Sequence, residues 1–137
     1  MLQAREEVLR RFRPVLNAQG LTEQQWRIIR ALHERGTLEP RELGLLCAIS
    51  SPSMAGVLSR MEQLGLIHRE RAAYDQRRVF VSLSPLSLKH LNRLAPQIEA
   101  TYRQIEQDLG GPLAADLTRV LEAVVAALHQ HELPVRD

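Results

Sequence analysis

Residues 74–83 read YDQRRVFVSL and contain the clearest β element of the chain. β-Branched and aromatic residues dominate the run from Val79 to Leu83, which predicts a strand. Asp75 and other polar residues precede this run, where the tip of a hairpin would fall. We therefore predict a hairpin with strands near residues 66–71 and 78–83, and with Arg77 and Arg78 at its tip.

Two short helices are predicted just before this hairpin. Pro40 suits the first position of a short helix. Ser50 or Ser51 caps a second helix, which has Pro52 at its start and Gly65 just beyond its end. Two short helices followed at once by a hairpin are the order of a winged helix-turn-helix, which places its second helix in the major groove of DNA.

Longer helices surround this motif on both sides. Apolar periodicity, capping residues and chain-breaking residues predict four further helices, near residues 2–17, 22–35, 85–110 and 112–131. Pro96 lies inside the third of these and is expected to kink it, because proline removes a backbone donor. The sequence therefore predicts a mainly α fold with a small β-hairpin, in a single domain over residues 1–137.

Length, charge and cysteine content limit the classes of protein to consider. The chain has 137 residues and a formal net charge of +2, which suits one domain. Residues 68–78 contain four arginines against two acids, whereas residues 96–137 contain three arginines against seven acids, so the basic region is local. The single cysteine, Cys47, fits a reducing cytosol. Neither a signal peptide nor a membrane span is recognisable, so we expect a cytoplasmic protein without a membrane partner.

The second helix of the motif has an apolar side and a polar side. Helical spacing assigns the apolar stripe to Met54, Leu58, Met61 and Leu64. The opposite side is small, polar and basic, with Ser53, Gly56, Ser59, Arg60 and Gln63. Small residues let a helix backbone approach the groove floor, and hydroxyls can meet base edges or phosphates. The alternative is an ordinary amphipathic helix with a solvated face.

The hairpin tip favours DNA binding over that alternative. Arg77 and Arg78 are placed to enter a minor groove, whose negative potential attracts guanidinium groups. Asp75 is close enough to Arg77 to hold its side chain in a salt bridge. Without a preceding groove helix, the same arginines would be solvated charges on a turn. The residues predicted to contact DNA are Ser51, Pro52, Ser53, Gly56, Arg60, Arg69, Asp75, Arg77 and Arg78.

Several stretches resemble the MarR family of bacterial transcription regulators. They are SRMEQLGLI at residues 59–67, DQRR at 75–78, VSL at 81–83 and LTEQQW at 21–26. Within that family, residues 3–6, 12–14 and 22–30 look closest to repressors of aromatic-acid catabolic operons. Two departures are the sequence Ser84-Pro85-Leu86-Ser87, where many members have T-x-x-G, and Gly56, where many relatives carry a larger or basic residue.

The resemblance implies a homodimer that binds a palindromic operator in double-stranded DNA. It assigns residues 37–84 to the winged helix-turn-helix. It assigns residues 1–19 and 112–137, with part of 85–110, to dimerisation helices that interleave with a partner chain. The contacts expected there are Leu9, Phe12, Val120, Val124 and Leu128. From the residues alone, the alternative is a helical core within one chain.

The resemblance also implies that a small aromatic acid binds between the dimerisation helices and the winged unit. Trp26 lies three, four and seven residues before Ile29, Arg30 and His33, so these side chains share one side of a helix. Arg13 and Arg30 are cations near apolar residues, a combination that suits an aromatic carboxylate. We therefore expect an effector site at Arg13, Trp26, Arg30 and His33. The alternative for Trp26 is that it packs in the hydrophobic core and does not contact a ligand.

Other classes of function have weaker support from the sequence. His129 and His131 are two residues apart on a helix and diverge, so they cannot share a metal ion. No phosphate-binding loop or serine elbow is recognisable, and we expect neither an enzyme nor a metal or cofactor. Cys47 leaves open a redox- or stress-responsive MarR-type regulator. A helical interaction module without DNA binding would not need the arginines of the hairpin tip. The sequence does not distinguish a repressor from an activator.

Overall fold

A computed structural model of the chain describes residues 1–131, which form six α-helices and one two-stranded antiparallel sheet. The helices are α1 (Leu2–Asn17), α2 (Glu23–Arg35), α3 (Pro40–Cys47), α4 (Ser51–Gln63), α5 (Pro85–Leu109) and α6 (Gly111–Gln130). The strands are β1 (Ile67–Arg71) and β2 (Val79–Leu83). This order confirms the predicted mainly α fold with a small hairpin. The end of the predicted dimerisation segment, residues 132–137, lies outside the described residues.

Local capping explains why α2 begins and ends where it does. The backbone N–H of Gln25 donates to Thr22 Oγ1 over 3.1 Å, and the N–H of Thr22 donates to Gln25 Oε1 over 3.0 Å. This reciprocal pair is the predicted capping box, and it satisfies backbone donors that the first helical turn leaves free. Gly36 ends the helix with a φ of +79°, a conformation that glycine adopts without strain.

Helix α4 confirms most of its predicted apolar stripe. Met54, Leu58 and Met61 are all buried. The prediction that Leu64 belongs to this stripe is wrong, because its side chain is 40% exposed. Leu64 is the C-cap of α4, directly before the chain turns through Gly65, whose φ is +74°, so its side chain lies at the edge of the buried stripe.

The described residues fall into two compact units. Residues 1–99 form the first, and its core contains the most deeply buried side chains, Ile28, Ile29, Leu43, Leu58, Met61, Ile67, Val81 and Leu94. Burying one such side chain contributes about 1.5–3 kcal/mol to folding. The second unit begins at Ala100, and none of its side chains up to residue 131 is buried. The prediction of one domain over residues 1–137 stays a prediction.

A one-residue bridge extends the hairpin toward the start of α3. The strands pair from Ile67 opposite Leu83 to Arg71 opposite Val79. Leu38 adds two backbone hydrogen bonds to Val81, of 3.1 and 2.8 Å, and so behaves as a minimal third strand. The hairpin is therefore fixed at the middle of β2 to the segment that leads into α3.

The turn from β2 into α5 explains the departure at residues 84–87. Ser84 Oγ donates to the carbonyl of Gly65 over 2.5 Å. Ser87 Oγ donates to the carbonyl of Leu66 over 2.6 Å, and the Ser87 side chain is completely buried. The second serine thus ties the start of α5 to the chain that leads into β1.

Within residues 1–131, no single helix has both the length and the hydropathy of a membrane span. Helices α3 and α4 reach that level only when they are taken together, and they are bent by 109° at their junction. Leu43 of α3 and Leu58 of α4 lie in the core of the first unit.

Candidate nucleic-acid interface

Helices α3 and α4 and the two strands of the hairpin border one open cleft of about 560 Å³. Its lining residues come from all three elements: Pro40, Arg41, Gly44, Leu45, Ile49, Ser50, Ser51, Met54, Ala55, Leu58, Arg69 and Val79. Helix α4 borders this concave surface with Ser51 and Ala55 beside the buried Met54 and Leu58. Of the residues predicted to contact DNA, Ser51 and Arg69 line the cleft.

The residues of α4 that were predicted to contact DNA are on its exposed side. Ser51, Pro52, Ser53, Gly56 and Arg60 are all exposed. A Cβ added at Gly56 would meet no atom within 4 Å. A glycine inside a helix is about 1 kcal/mol less favourable than alanine, so packing within the chain does not explain Gly56.

The start of α4 departs from the expected cap. Ser50 occupies the N-cap position, but its side chain accepts no backbone N–H of the first turn, and its hydroxyl donates to Ser53 Oγ over 3.0 Å. The sequence left open whether Ser50 or Ser51 is the N-cap. Ser50 takes that position, and Ser51 is the first residue of the helix. The two bonded hydroxyls lie on an exposed surface at the end of the helix where the dipole is positive.

At the hairpin tip, Asp75 holds Arg77 by two hydrogen bonds. Its Oδ1 accepts the backbone N–H of Arg77 over 3.0 Å and the Arg77 Nε–H over 3.2 Å. This confirms the predicted salt bridge. The Arg77 side chain is 93% exposed. A guanidinium is therefore presented to solvent with its direction set by a carboxylate on the same turn.

Arg78 has different surroundings from its neighbour. Its Nε donates to Glu39 Oε1 over 2.8 Å, and its Nη1 donates to the Tyr74 hydroxyl over 3.0 Å. The guanidinium also lies 5.7 Å from the centre of the Tyr74 ring and 5.2 Å from that of Phe80. Hydrogen bonding by Arg78 lowers the pKa of Glu39. The side chain is thus held within the first unit, and its contact with DNA stays a prediction.

Arg69 is also paired inside the motif. Its Nε and Nη2 donate to the two carboxylate oxygens of Glu62 over 3.1 and 3.0 Å. This bidentate pair joins β1 to α4 and lowers the pKa of Glu62. Arg69 lines the cleft, so its predicted DNA contact would have to share the guanidinium with Glu62.

Two cleft residues were missed by reasoning from the sequence. Arg41 is exposed in the first turn of α3 and lines the cleft. Its only signal is its position directly after the helix-starting Pro40. Leu45 is 79% exposed, although the apolar run around it reads as one buried face. These residues place a cation and an apolar side chain on the same concave surface as α4.

The four predicted effector residues are not brought together around one described cavity. Trp26 is buried, with 7% exposure, and His33 is exposed. Arg13 is bonded to Glu6, which raises the pKa of the arginine and lowers that of the carboxylate. Arg30 Nη2 lies 3.3 Å from Glu34 Oε1, one helical turn further along α2.

Of these four, Arg30 lines a smaller cleft of about 210 Å³ between α2 and the end of α3. The other lining residues are Arg27, Ala31, Glu34, Arg35, Leu46 and Cys47. Two further arginines therefore share this cleft with Arg30. The assignment of an effector site to the four predicted residues stays a prediction.

The predicted dimer contacts divide between the two units. Phe12 is buried in the first unit and Leu9 is half-buried. In the second unit Val120, Val124 and Leu128 are between 42% and 65% exposed. The apolar face of α6 is thus uncovered by its own unit in the described part of the chain, and its contact with a partner stays a prediction.

Cys47 is a buried thiol at the end of α3. It is 4% exposed, and burial raises the pKa of the thiol. Arg27 Nη1 donates to its backbone carbonyl over 2.5 Å, which caps the last turn of α3. Among residues 1–131, no three side chains of histidine, cysteine, aspartate or glutamate are grouped as metal ligands would be.

Comparison with known proteins identifies the family. The sequence pattern of the MarR family matches residues 19–78. The homoprotocatechuate degradative operon repressor of Escherichia coli is 40% identical over 126 residues, covering 92% of this chain and 85% of that protein. The crystal structure of the transcriptional regulator PA4135 is 39% identical with a TM-score of 0.84, covering 96% and 94% of the two chains. That of NadR in complex with 4-hydroxyphenylacetate is 38% identical with a TM-score of 0.75, covering 96% and 90%. The chain therefore belongs to the MarR family of transcriptional regulators and has the winged-helix fold of that family.

Proposed function

We propose that this protein is a cytoplasmic homodimer that represses an aromatic-compound catabolic operon, and that a small aromatic carboxylate releases it from a palindromic operator. The observation that carries the DNA-binding part is the exposed guanidinium of Arg77, which Asp75 directs from a hairpin that borders the same cleft as α4. A protein without DNA as a partner has no evident use for that arrangement.

In this proposal α4 enters the major groove and the hairpin follows the adjacent minor groove. The serines at the start of α4 and Arg60 contact phosphates or base edges, while Gly56 allows close approach of the helix backbone. Arg77 enters the narrow minor groove, where the potential is most negative. Arg41 on α3 adds a further cation to the cleft.

A two-fold dimer is proposed because a palindromic operator presents two equal half-sites. The uncovered apolar face of α6 supports it: Val120, Val124 and Leu128 repeat at helical spacing and are exposed within their own unit. Burial of such a face stabilises the dimer by about 25 cal/mol for every Å² of apolar surface that is removed from water. Contacts from α1, at Leu9 and Phe12, complete the proposed interface.

An aromatic carboxylate is proposed as the effector because two relatives point to that chemistry. One is named for a homoprotocatechuate operon, and the other is bound to 4-hydroxyphenylacetate. In this chain the ring would lie against Trp26 and its apolar neighbours, with His33 nearby, and the acid would meet Arg13 or Arg30. Both arginines are bonded to carboxylates, but the side chains of these pairs are about half exposed, and ion pairs of this kind are weak.

The effector proposal can be tested with the only tryptophan of the chain. Hydroxyphenylacetates, hydroxybenzoates and hydroxynicotinates are titrated while Trp26 emission and operator binding are followed together. Tenfold release needs about 1.4 kcal/mol of preference for the form that does not bind DNA. The titration is repeated with Arg13→Ala and Arg30→Ala, and with Arg10→Ala as a control on the exposed side of α1.

We expect at least one arginine variant to lose the response while the control keeps it. The effector site would be refuted if no aromatic acid changed either signal at millimolar concentration, or if both variants responded like the parent. Burial of Cys47 and the raised pKa of its thiol give no support to redox sensing as the alternative trigger.

A further inference from the structure

The hairpin is joined to α3 through partners that are far apart in the sequence. Leu38 pairs with Val81, and the next residue, Glu39, bonds Arg78 across 39 positions of the chain. We propose that Arg78 is a positioning residue, which fixes the hairpin against the start of α3 and so sets the point from which Arg77 reaches DNA. This inference rests on the proposed contact between Arg77 and DNA.

The first observation that supports this role is that the Arg78 guanidinium is bonded within the protein. Nε and Nη1 are committed to Glu39 and Tyr74, and the plane lies near the Tyr74 and Phe80 rings. Its side chain is 43% exposed, less than half the exposure of Arg77. The bonds at Nε and Nη1 hold this guanidinium against α3 and the turn, so it is less free than that of Arg77 to turn toward a phosphate.

The second support is that the partner of Arg78 is itself held in place. The N–H of Glu39 donates to Glu42 Oε1 over 3.1 Å at the start of α3. Leu38, directly before it, is locked to β2 by two backbone bonds. Because consecutive Cα atoms are only about 3.8 Å apart, fixing Arg78 on this anchor also fixes the origin of Arg77.

The third support is the turn itself. The N–H of Arg78 donates to the carbonyl of Asp75, and the N–H of Ala72 donates to the carbonyl of Arg78, both over 3.0 Å. The residue thus closes the hairpin with its backbone while its side chain ties the hairpin to α3. Asp75 then directs Arg77 outward from a turn that is already fixed.

The direction in which operator affinity changes when Glu39 is removed tests this inference. Glu39 is a negative charge in the DNA-binding unit, so its removal should strengthen binding to a polyanion if charge alone mattered. If Glu39 acts by holding Arg78, its removal should weaken binding instead. A direct phosphate contact by Arg78 has a different signature, because its loss would lower the slope of log affinity against log salt by about one for each subunit.

The experiment measures operator affinity of the full chain across a series of salt concentrations. The variants are Glu39→Gln, Arg78→Met and the double variant, with Arg77→Ala as the reference for a direct contact. Glu70→Gln is the matched control, because Glu70 is an exposed carboxylate of the same hairpin, on β1. Thermal unfolding of each variant checks that it is folded.

We expect Glu39→Gln and Arg78→Met each to weaken binding about two- to fivefold, the range for a partly exposed ion pair. The salt slope should stay near that of the parent, and the double variant should be no weaker than the worse single variant, because both remove one interaction. Glu70→Gln should bind as tightly as the parent or slightly more tightly.

The inference is overturned if Glu39→Gln binds as tightly as the parent or tighter, or if Arg78→Met lowers the slope as much as Arg77→Ala. In those cases Arg77→Ala still weakens binding, and the proposed function stands. If Arg77→Ala changes neither affinity nor slope, both the positioning role and the proposed contact of the hairpin with DNA are wrong.

Discussion

Replacing Gly56 with alanine should make the protein more stable and its DNA binding weaker. Alanine is favoured over glycine in a helix interior by about 0.8–1.0 kcal/mol, and a Cβ at Gly56 meets no atom within 4 Å. The whole propensity gain should therefore appear as stability, raising the unfolding midpoint by about 2–5 °C for a chain of this length. Against the groove floor, the same methyl group should cost about 1–3 kcal/mol of binding free energy as overpacking.

Gly44→Ala is the matched control, since it offers the same propensity gain in α3. Here the added Cβ would lie 3.0 Å from the carbonyl oxygen of Ile49, a backbone atom of the turn between α3 and α4. We expect no gain in stability, or a loss of up to about 2 kcal/mol. Calorimetry and operator titration of both variants give the two readouts. If Gly56→Ala bound operator as tightly as the parent, the proposed close approach of α4 would be wrong.

Three further changes test the interface, the turn and an ion pair. The double variant Val124→Asp, Leu128→Asp should dissociate the dimer, because each carboxylate buried without a partner costs several kcal/mol. Sedimentation measures the oligomeric state, and a folded monomeric parent that binds a palindromic duplex tightly would contradict this prediction. Ala48→Gly should raise the free energy of unfolding by about 0.5–1 kcal/mol, because Ala48 has a φ of +53°, which glycine adopts with less strain. A lower denaturant midpoint for this variant would refute that prediction. Arg69 lowers the pKa of Glu62 below its usual 4.5, so the pair stabilises the fold above that pH and the contribution disappears as the pH falls through the lowered value. The difference in urea midpoint between Glu62→Gln and the parent should accordingly vanish in acid, and a constant difference would exclude this linkage.

Helix boundaries could be predicted from the sequence because short-range signals determine them. The capping box at Thr22 and Gln25, the proline at position 40 and the glycine at position 36 each act within one helical turn. The same holds for the salt bridge of Asp75 with Arg77, whose partners are two residues apart. Periodicity likewise identified the buried side of α4 except at its C-cap, Leu64, whose side chain is 40% exposed.

Pairings between distant residues could not be predicted in this way. Glu39 and Arg78 are 39 residues apart and meet where Leu38 bridges to β2, and neither residue carries a local sign of the other. The exposure of Leu45 on the cleft side of α3 also depends on where α4 packs. Adjacent arginines therefore looked equivalent in the sequence although the fold gives them different partners.

The effector site and the dimer contacts depend on surfaces that a pattern in one chain does not define. Helical spacing correctly put Trp26 and Arg30 on one helix, but it could not show that Trp26 is buried or that Arg30 lies beside Glu34. The apolar repeat of α6 was recognisable, but its partner is not specified by the period alone.

The most direct test of DNA reading by the hairpin is the salt dependence of operator binding for Arg77→Ala. Operator binding should weaken by about 1–3 kcal/mol, and the salt slope should fall by about one phosphate contact for each subunit. Asp75→Ala should cost less, because only the direction of Arg77 is lost, and Arg103→Ala on α5 should match the parent. An Arg77→Ala variant with the affinity and slope of the parent at physiological salt would contradict the account and leave the arginine as a solvated charge on an exposed turn.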